Sequence, residues 1–127
     1  MPMPELGPLS VGDEVVVITE PQFAGRRARR AVVAKAAPVW IDLKEVDGEG
    51  VYPRTWRMRR DTQDDAAEIG FPEVFRTPEQ WKWEQRDIEA AEYLQEQGVE
   101  LAYRSPWIGR RAELADALRA LGGPAAP

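Results

Sequence analysis

The first half of the chain alternates apolar and polar residues with the period of two that is typical of β-strands. Runs rich in β-branched residues are separated by turn residues, and they predict four strands, at residues 14–20, 29–36, 39–45 and 51–60. Pro53 places part of the last strand at an edge or a bulge, because proline cannot donate a ladder hydrogen bond. Four short strands at this spacing predict an antiparallel meander that curls into a small barrel over residues 10–62.

The second half of the chain predicts helices. Thr77 and Pro78, followed by Gln80, form a capping pattern that begins a helix, and Gly98 is placed to end it. A second helix is expected over residues 106–121, because its apolar residues recur with the period of a helix that buries one face. The fold class is therefore predicted as α+β. The predicted organisation is a barrel at 10–62, a connector at 63–77, a helical pair at 78–121 and a disordered tail at 122–127.

The third predicted strand carries a tryptophan opposite its apolar residues. Val39, Ile41 and Leu43 share one face, which we expect to lie against the core, so Trp40 points away from it. Two explanations stay open. Trp40 is covered by a C-terminal helix or by aromatic residues of the connector, or it is a platform on which a nucleobase stacks or a protein binds.

The fourth predicted strand repeats this pattern with charge added. If Trp56 and Met58 face the core, then Arg57 and Arg59 project from the other side. Basic residues interleaved with aromatic residues suit single-stranded nucleic acid, because guanidinium groups bind phosphates and flat rings stack on bases.

The net charge of −5 hides an uneven distribution of charged residues. Residues 21–63 contain ten basic and five acidic residues, although the chain as a whole is acidic. A concentrated basic segment indicates a polyanionic partner, while arginine also pairs well with a protein's own carboxylates. The residues predicted to bind nucleic acid are Arg26, Arg27, Arg29, Arg30, Trp40, Arg57 and Arg59.

The composition excludes most catalytic chemistry. The chain has no His and no Cys, so it lacks a thiol nucleophile, an imidazole base and the usual ligands of zinc, copper and haem. The two serines, Ser10 and Ser105, have no imidazole partner. We therefore expect a protein that is not an enzyme and that uses no cofactor.

Carboxylates are the remaining candidates for metal binding, and four lie close together at Asp61, Asp64, Asp65 and Glu68. Their oxygens are suitable ligands for Mg²⁺ or Ca²⁺, but the segment lacks the glycine and the final glutamate of a calcium loop. The same residues also suit the first turn of a short helix, where acidic side chains are favourable. We expect no metal site.

A short motif near the N-terminus is Val11-Gly12-Asp13-Glu14-Val15-Val16-Val17. It is followed by a loop containing Gly25 and by the strand residues Val32-Val33 and Val39-Trp40-Ile41. This arrangement resembles the opening of a KOW-type or SH3-like small barrel, and the resemblance covers residues 11–60. Pro21 and Gln22 stand where the loop of that family usually begins with glycine. The resemblance implies a small SH3-like antiparallel β-barrel that binds RNA, DNA, ribosomal or transcription machinery, or protein alone. The whole chain also resembles uncharacterised proteins of actinobacteria and their phages.

Two hypotheses for function follow. The first is a non-enzymatic binding module that contacts nucleic acid through a basic barrel surface. The second is a protein-interaction or regulatory adaptor, of phage origin and acting on host machinery, that uses exposed tryptophan and the acidic helices. The overall negative charge motivates it, because most nucleic-acid-binding domains are basic overall. A homo-oligomer built through the last helix is compatible with both. No signal peptide and no apolar stretch of membrane-spanning length is visible, so we expect a cytoplasmic location and no membrane partner.

Overall fold

The computed structural model describes residues 2–19, 27–48, 52–66 and 72–122. Its strands are β1 (Glu14–Thr19), β2 (Arg27–Ala36), β3 (Trp40–Glu45), β4 (Thr55–Arg59) and β5 (Val74–Arg76). Two helices follow, α1 (Pro78–Glu96) and α2 (Arg111–Ala120), and a 3-10 turn (Ile108–Arg110) directly precedes α2. The α+β fold class predicted from the sequence is confirmed.

The strands form one antiparallel sheet in the order β4-β3-β2-β1-β5. Strands β1 to β4 make the predicted meander, while β5 returns along the free edge of β1. The prediction of a plain connector at 63–77 was therefore incomplete, because it contains β5. Three residues are too few to show a period of two, and their pairing with β1 joins segments distant in sequence.

The inner face of the sheet carries the core. Its buried residues come from all five strands, and their alternation with exposed residues confirms the predicted faces of β3 and β4. They are Val15, Val17, Ala31, Val33, Ile41, Leu43, Trp56, Met58 and Phe75. Val39 was wrongly predicted to join them, since it precedes β3 in the hairpin turn and is 49% exposed.

The sheet curls so that its two edges approach each other. Glu73, just before the edge strand β5, accepts hydrogen bonds from the Thr19 hydroxyl (2.8 Å) and the Trp56 indole (2.9 Å). Arg54, next to the opposite edge strand β4, forms an ion pair with the same carboxylate. One half-buried carboxylate thus links both edges, and the sheet is a half-barrel.

A buried pair of glutamine side chains fixes the start of α1. The Thr77 hydroxyl accepts a hydrogen bond from the Gln80 amide, and the Gln80 side chain accepts one from the Thr77 amide, which confirms the predicted capping box. The Gln80 and Gln63 carboxamides also donate to each other, at 3.0 Å and 2.7 Å. Gln63 donates further to the Phe75 carbonyl oxygen, so the capping box is tied to β5.

The chain divides into two compact units, and Leu6–Trp81 form the first. The second, which we call the C-terminal unit, runs from Lys82 onward and includes the start of the chain up to Glu5. In the C-terminal unit, Ala90, Leu94 and Ala115 form a small buried cluster between α1 and α2. Gly98 ends α1 with a φ of 76°, and the Val99 amide donates back to the Leu94 carbonyl, as expected for a glycine helix cap. Among the described residues, no helix is both long and apolar enough to cross a membrane.

Candidate functional site

The β3–β4 hairpin builds a polar surface on the outer side of the sheet. Trp40 lies opposite Arg59, and Asp42 lies opposite Arg57, while the residues between them face the core. Lys35, beyond a bulge in β2, also lies opposite Asp42. We call this surface the outer-face patch, and its members are Lys35, Trp40, Asp42, Lys44, Arg57 and Arg59.

Trp40 is half-buried and contacts both arginines of the patch. The guanidinium carbons of Arg57 and Arg59 lie 5.6 Å and 5.7 Å from the centre of its ring system, within the range of a cation–π interaction. Neighbouring arginine side chains therefore supply part of the cover of this tryptophan. The result is a flat aromatic ring with two planar cations beside it.

Both arginines also have carboxylate partners. The Arg57 Nε lies 3.3 Å from Asp42 Oδ1, and Arg59 donates to both oxygens of Asp61 at 2.9 Å and 3.0 Å. The hydrogen bond from Arg59 lowers the pKa of Asp61, and Asp61 in turn raises the pKa of Arg59. These pairs are open to solvent, where ion pairs contribute little, so an anionic ligand can compete for either guanidinium.

Lys35 and Lys44 are exposed, and neither forms an ion pair within the part of the chain that the structure describes. They give the outer-face patch a net positive charge, because its arginines are already paired. The sequence prediction did not include them among the site residues. The alternation of residues along β3 could have identified Lys44, because it places Lys44 on the same side of the strand as Trp40.

The other predicted arginines that the structure describes, Arg27, Arg29 and Arg30, lie at the opposite end of β2. Arg26 falls outside the described residues, and Arg27 is exposed without a partner in the described chain. Arg29 pairs with Glu45 at 3.3 Å and lies opposite Val17 of the core face, so it points to the inner side. The structure therefore does not bring Arg27 or Arg29 together with Trp40.

Arg30 lies opposite Val16 and extends from the outer side of the sheet. Among the described residues, it is the one arginine at this end of β2 that does so. It pairs with Glu14 at 2.8 Å and with Asp47 at 3.3 Å. Two carboxylates thus neutralise a single guanidinium. Arg30 is a weaker candidate for phosphate contact than Arg57, which faces one carboxylate.

Two concave sites were not predicted from the sequence. An open groove of about 700 Å³ is lined by Arg27, Arg29, Glu45, Asp47 and Tyr52, so its charges balance. A smaller pocket of about 190 Å³ lies within the C-terminal unit.

The smaller pocket is lined by one tryptophan, Trp83, together with Arg86, Asp87, Arg110 and Glu113. Hydrogen bonding to Arg110 is the main cause that lowers the pKa of Glu113 to about 2. Both arginines of the pocket have carboxylate partners, since Arg110 pairs with Glu113 and Arg86 pairs with Asp116. A pocket of balanced charge offers no preference for an anion or for a cation.

The connector carboxylates make local hydrogen bonds. Asp64 Oδ1 accepts from the Thr62 hydroxyl and from the Ala66 amide, and Asp61 pairs with Arg59. Among the described residues, no three carboxylates are grouped in a way that could hold a metal ion. Glu68, the fourth predicted member of the cluster, lies outside the described residues.

A protein-family model, described as the phage ProQ C-terminal-like domain, matches residues 1–123. The match spans the sheet and both helices, and it supports the phage-like relation expected from the sequence. No curated protein and no solved structure matches the chain. The curled antiparallel sheet is consistent with a small barrel, and the comparisons do not extend to a KOW or SH3 family.

Proposed function

The chain belongs to the family of phage ProQ C-terminal-like domains, and we propose that it is a non-enzymatic module that binds nucleic acid through its outer-face patch. Membership of this family supports a binding or regulatory role. The choice of nucleic acid as the ligand rests on the chemistry of the patch itself.

The observation that carries the proposal is the group formed by Trp40, Arg57 and Arg59. An indole ring with two guanidinium groups within 6 Å offers a stacking surface and phosphate ligands at one place. Bases of any sequence have a flat face, so such a surface binds single strands through stacking and charge. The exposed side chains of Lys35 and Lys44 add positive charge beside it.

The ion pairs of the patch suit a ligand of high charge density. Exposed pairs such as Arg57–Asp42 are weak, while a nucleic-acid backbone presents a row of phosphates and releases condensed counterions on binding. We therefore expect binding that weakens steeply as salt rises. The slope of log K against log salt is negative, and the loss of each phosphate contact makes it shallower by about 0.7 for a single strand.

The test is a fluorescence-anisotropy titration with short single-stranded DNA, single-stranded RNA and duplex DNA at two salt concentrations. The double variant Arg57→Gln/Arg59→Gln is expected to lose at least tenfold in affinity at low salt and to show a smaller salt slope. Its matched control is Lys82→Gln/Arg104→Gln, which removes the same charge from two exposed residues of the C-terminal unit. Absence of binding at low salt by the unmodified protein, or equal losses in both variants, would overturn the proposal.

A protein-interaction or regulatory role is the second candidate, and exposed apolar side chains of the C-terminal unit favour it. Tyr103 is 88% exposed, Leu121 is 84% exposed and Trp107 is 37% exposed. Aromatic residues of this kind often anchor protein interfaces. A monomer in sedimentation, with no protein from the native host co-purifying, would count against this role.

A further inference from the structure

We infer that Asp42 makes the outer-face patch select the base that stacks beside it, with guanine in a single strand preferred and uracil or thymine disfavoured. This inference rests on the proposed function, because it names the ligand of the same surface. Its starting point is the presence of a carboxylate in the middle of a basic patch.

A carboxylate at this position lowers the affinity of the surface for phosphate. Asp42 faces outward between Trp40 and Lys44 on β3, and its side chain is 37% exposed. Its one ion pair within the described chain is with Arg57, through Oδ1 at 3.3 Å. The second oxygen, Oδ2, accepts no hydrogen bond from any described residue and is available to a ligand.

The spacing along β3 places this carboxylate at the edge of a stacked base. Trp40 and Asp42 are two residues apart on the same face, so their Cα atoms are separated by about 7 Å. A base that stacks against the indole ring or its guanidinium neighbours therefore extends its polar edge toward Asp42. Arg57 lies opposite Asp42 in the register, and its exposed guanidinium can exchange this carboxylate for a phosphate.

A carboxylate only accepts hydrogen bonds, so it distinguishes bases by their donors. Guanine presents two adjacent donors, N1–H and N2–H, which match the two oxygens of one carboxylate. Cytosine and adenine present one amino group beside an acceptor nitrogen. Uracil and thymine flank their single N–H with two carbonyl oxygens that repel a carboxylate. A bidentate contact of this kind discriminates by about tenfold or more.

The same chemistry excludes a base-paired ligand. The donors that Asp42 would contact belong to the Watson–Crick edge, which is occupied in a duplex and is read by proteins in single strands. We therefore expect duplex DNA to bind more weakly than a guanine-containing single strand of equal length. The affinity for the duplex should not depend on where its guanines lie.

Asp61 provides a matched comparison for Asp42. It also pairs with an arginine of the patch, but Arg59 occupies both of its oxygens, at 2.9 Å and 3.0 Å. It lies in the turn after β4, outside the strands that form the surface. Removing either charge makes the patch more positive, whereas only Asp42 is placed to contact a base.

The experiment uses labelled oligouridine nine-mers in which the central base is uracil, cytosine, adenine or guanine. The unmodified protein is expected to bind the guanine-containing strand about tenfold more tightly than the all-uracil strand. Asp42→Asn should reduce this ratio to below twofold and tighten binding of the all-uracil strand. Asp61→Asn should tighten binding of every strand while the ratio persists.

The two proposals fail in different ways. If no strand binds at low salt, the nucleic-acid function is wrong and the inference falls with it. If all four strands bind equally well, or if Asp42→Asn keeps the preference for guanine, the function stands and the role of Asp42 is wrong. Thermal unfolding of both variants checks that they are folded, and their exposed positions predict that they are.

Discussion

Two groups of tryptophan, arginine and carboxylate lie on opposite sides of the same half-barrel, and burial separates their roles. The inner triad is Arg54, Trp56 and Glu73. Its tryptophan is 7% exposed, its indole donates to Glu73, and its arginine lies 5.3 Å from the ring while pairing with the same carboxylate. The indole and the carboxylate, which is 13% exposed, are both paired, as the low dielectric of a protein interior requires, while the Arg54 side chain is 43% exposed.

The outer triad is Trp40, Asp42 and Arg57, and it contains almost the same contacts at the surface. The arginine lies 5.6 Å from the ring and 3.3 Å from the carboxylate, but its side chain is 64% exposed. Water solvates these groups before and after any rearrangement, so separating them costs little. Similar chemistry is thus structural on the inner side of the sheet and available for binding on the outer side.

The largest difference is expected between the two tryptophans. Trp56→Ala removes a buried ring from the core and should lower the free energy of unfolding by about 3–5 kcal/mol. Trp40→Ala should cost less than half as much, because that ring is only partly buried. Urea unfolding followed by far-ultraviolet circular dichroism measures both without relying on tryptophan fluorescence. Equal losses would contradict the comparison.

A smaller difference is expected between the two carboxylates. Glu73→Gln removes the charge that pairs with Arg54. Because the Thr19 hydroxyl and the Trp56 indole both donate to Oε2, an amide that keeps its oxygen there turns its own NH2 group toward the Arg54 guanidinium. This substitution should lower the free energy of unfolding by about 1–3 kcal/mol. Asp42→Asn should change the same quantity by less than about 0.5 kcal/mol. Both substitutions replace a carboxylate by an amide of the same shape, so they change the charge of the side chain without changing its packing.

The smallest effect should come from the exposed pair beside the patch. Because Arg59 lowers the pKa of Asp61 from its usual 3.8, the pair stabilises the fold above that value. The contribution is lost as the pH falls through the lowered pKa of the folded state. Unfolding of the unmodified protein and Asp61→Asn, measured from pH 6 to pH 2.5, should therefore show a small difference that begins to shrink near pH 3.8 and is lost as the pH falls through the lowered pKa of the folded state. A difference that persists in acid would contradict this account.

Much of the fold was predictable because its signals are local. Alternation along β3 and β4 correctly separated Trp56 and Met58 from Arg57 and Arg59. The capping pattern at Thr77 and the terminating glycine Gly98 correctly marked the ends of α1, since both act through their nearest backbone groups.

The second helix was less well predicted. It was expected from residue 106, and it begins as a 3-10 turn at Ile108 before α2 starts at Arg111. The hydroxyl of Ser105 accepts a hydrogen bond from the Trp107 amide, so the serine signal marks a turn that precedes the helix. Such local hydrogen bonds of serine compete with the helical ladder.

The candidate site was predictable only in part. The outward direction of Trp40, Arg57 and Arg59 follows from alternation, and their role in nucleic-acid binding stays a prediction. The prediction also grouped Arg27 and Arg29 with these residues because all are basic. In the structure, Arg27 and Arg29 lie opposite inner-facing residues of β1, so they point to the other side of the sheet. The meeting of Arg57 with Asp42 depends on strand register, and register is set by pairing across the sheet.

The sequence by itself determined the class of fold, the faces of the strands and the absence of imidazole and thiol groups, because these depend on residue type and on periods of two and 3.6 residues. The tertiary structure alone decided that β5 joins the sheet, that Glu73 links the two edges and that Gln63 pairs with Gln80. These contacts join residues far apart in the chain. Their partners are selected by the curvature of the packed sheet, which no local pattern of residues encodes.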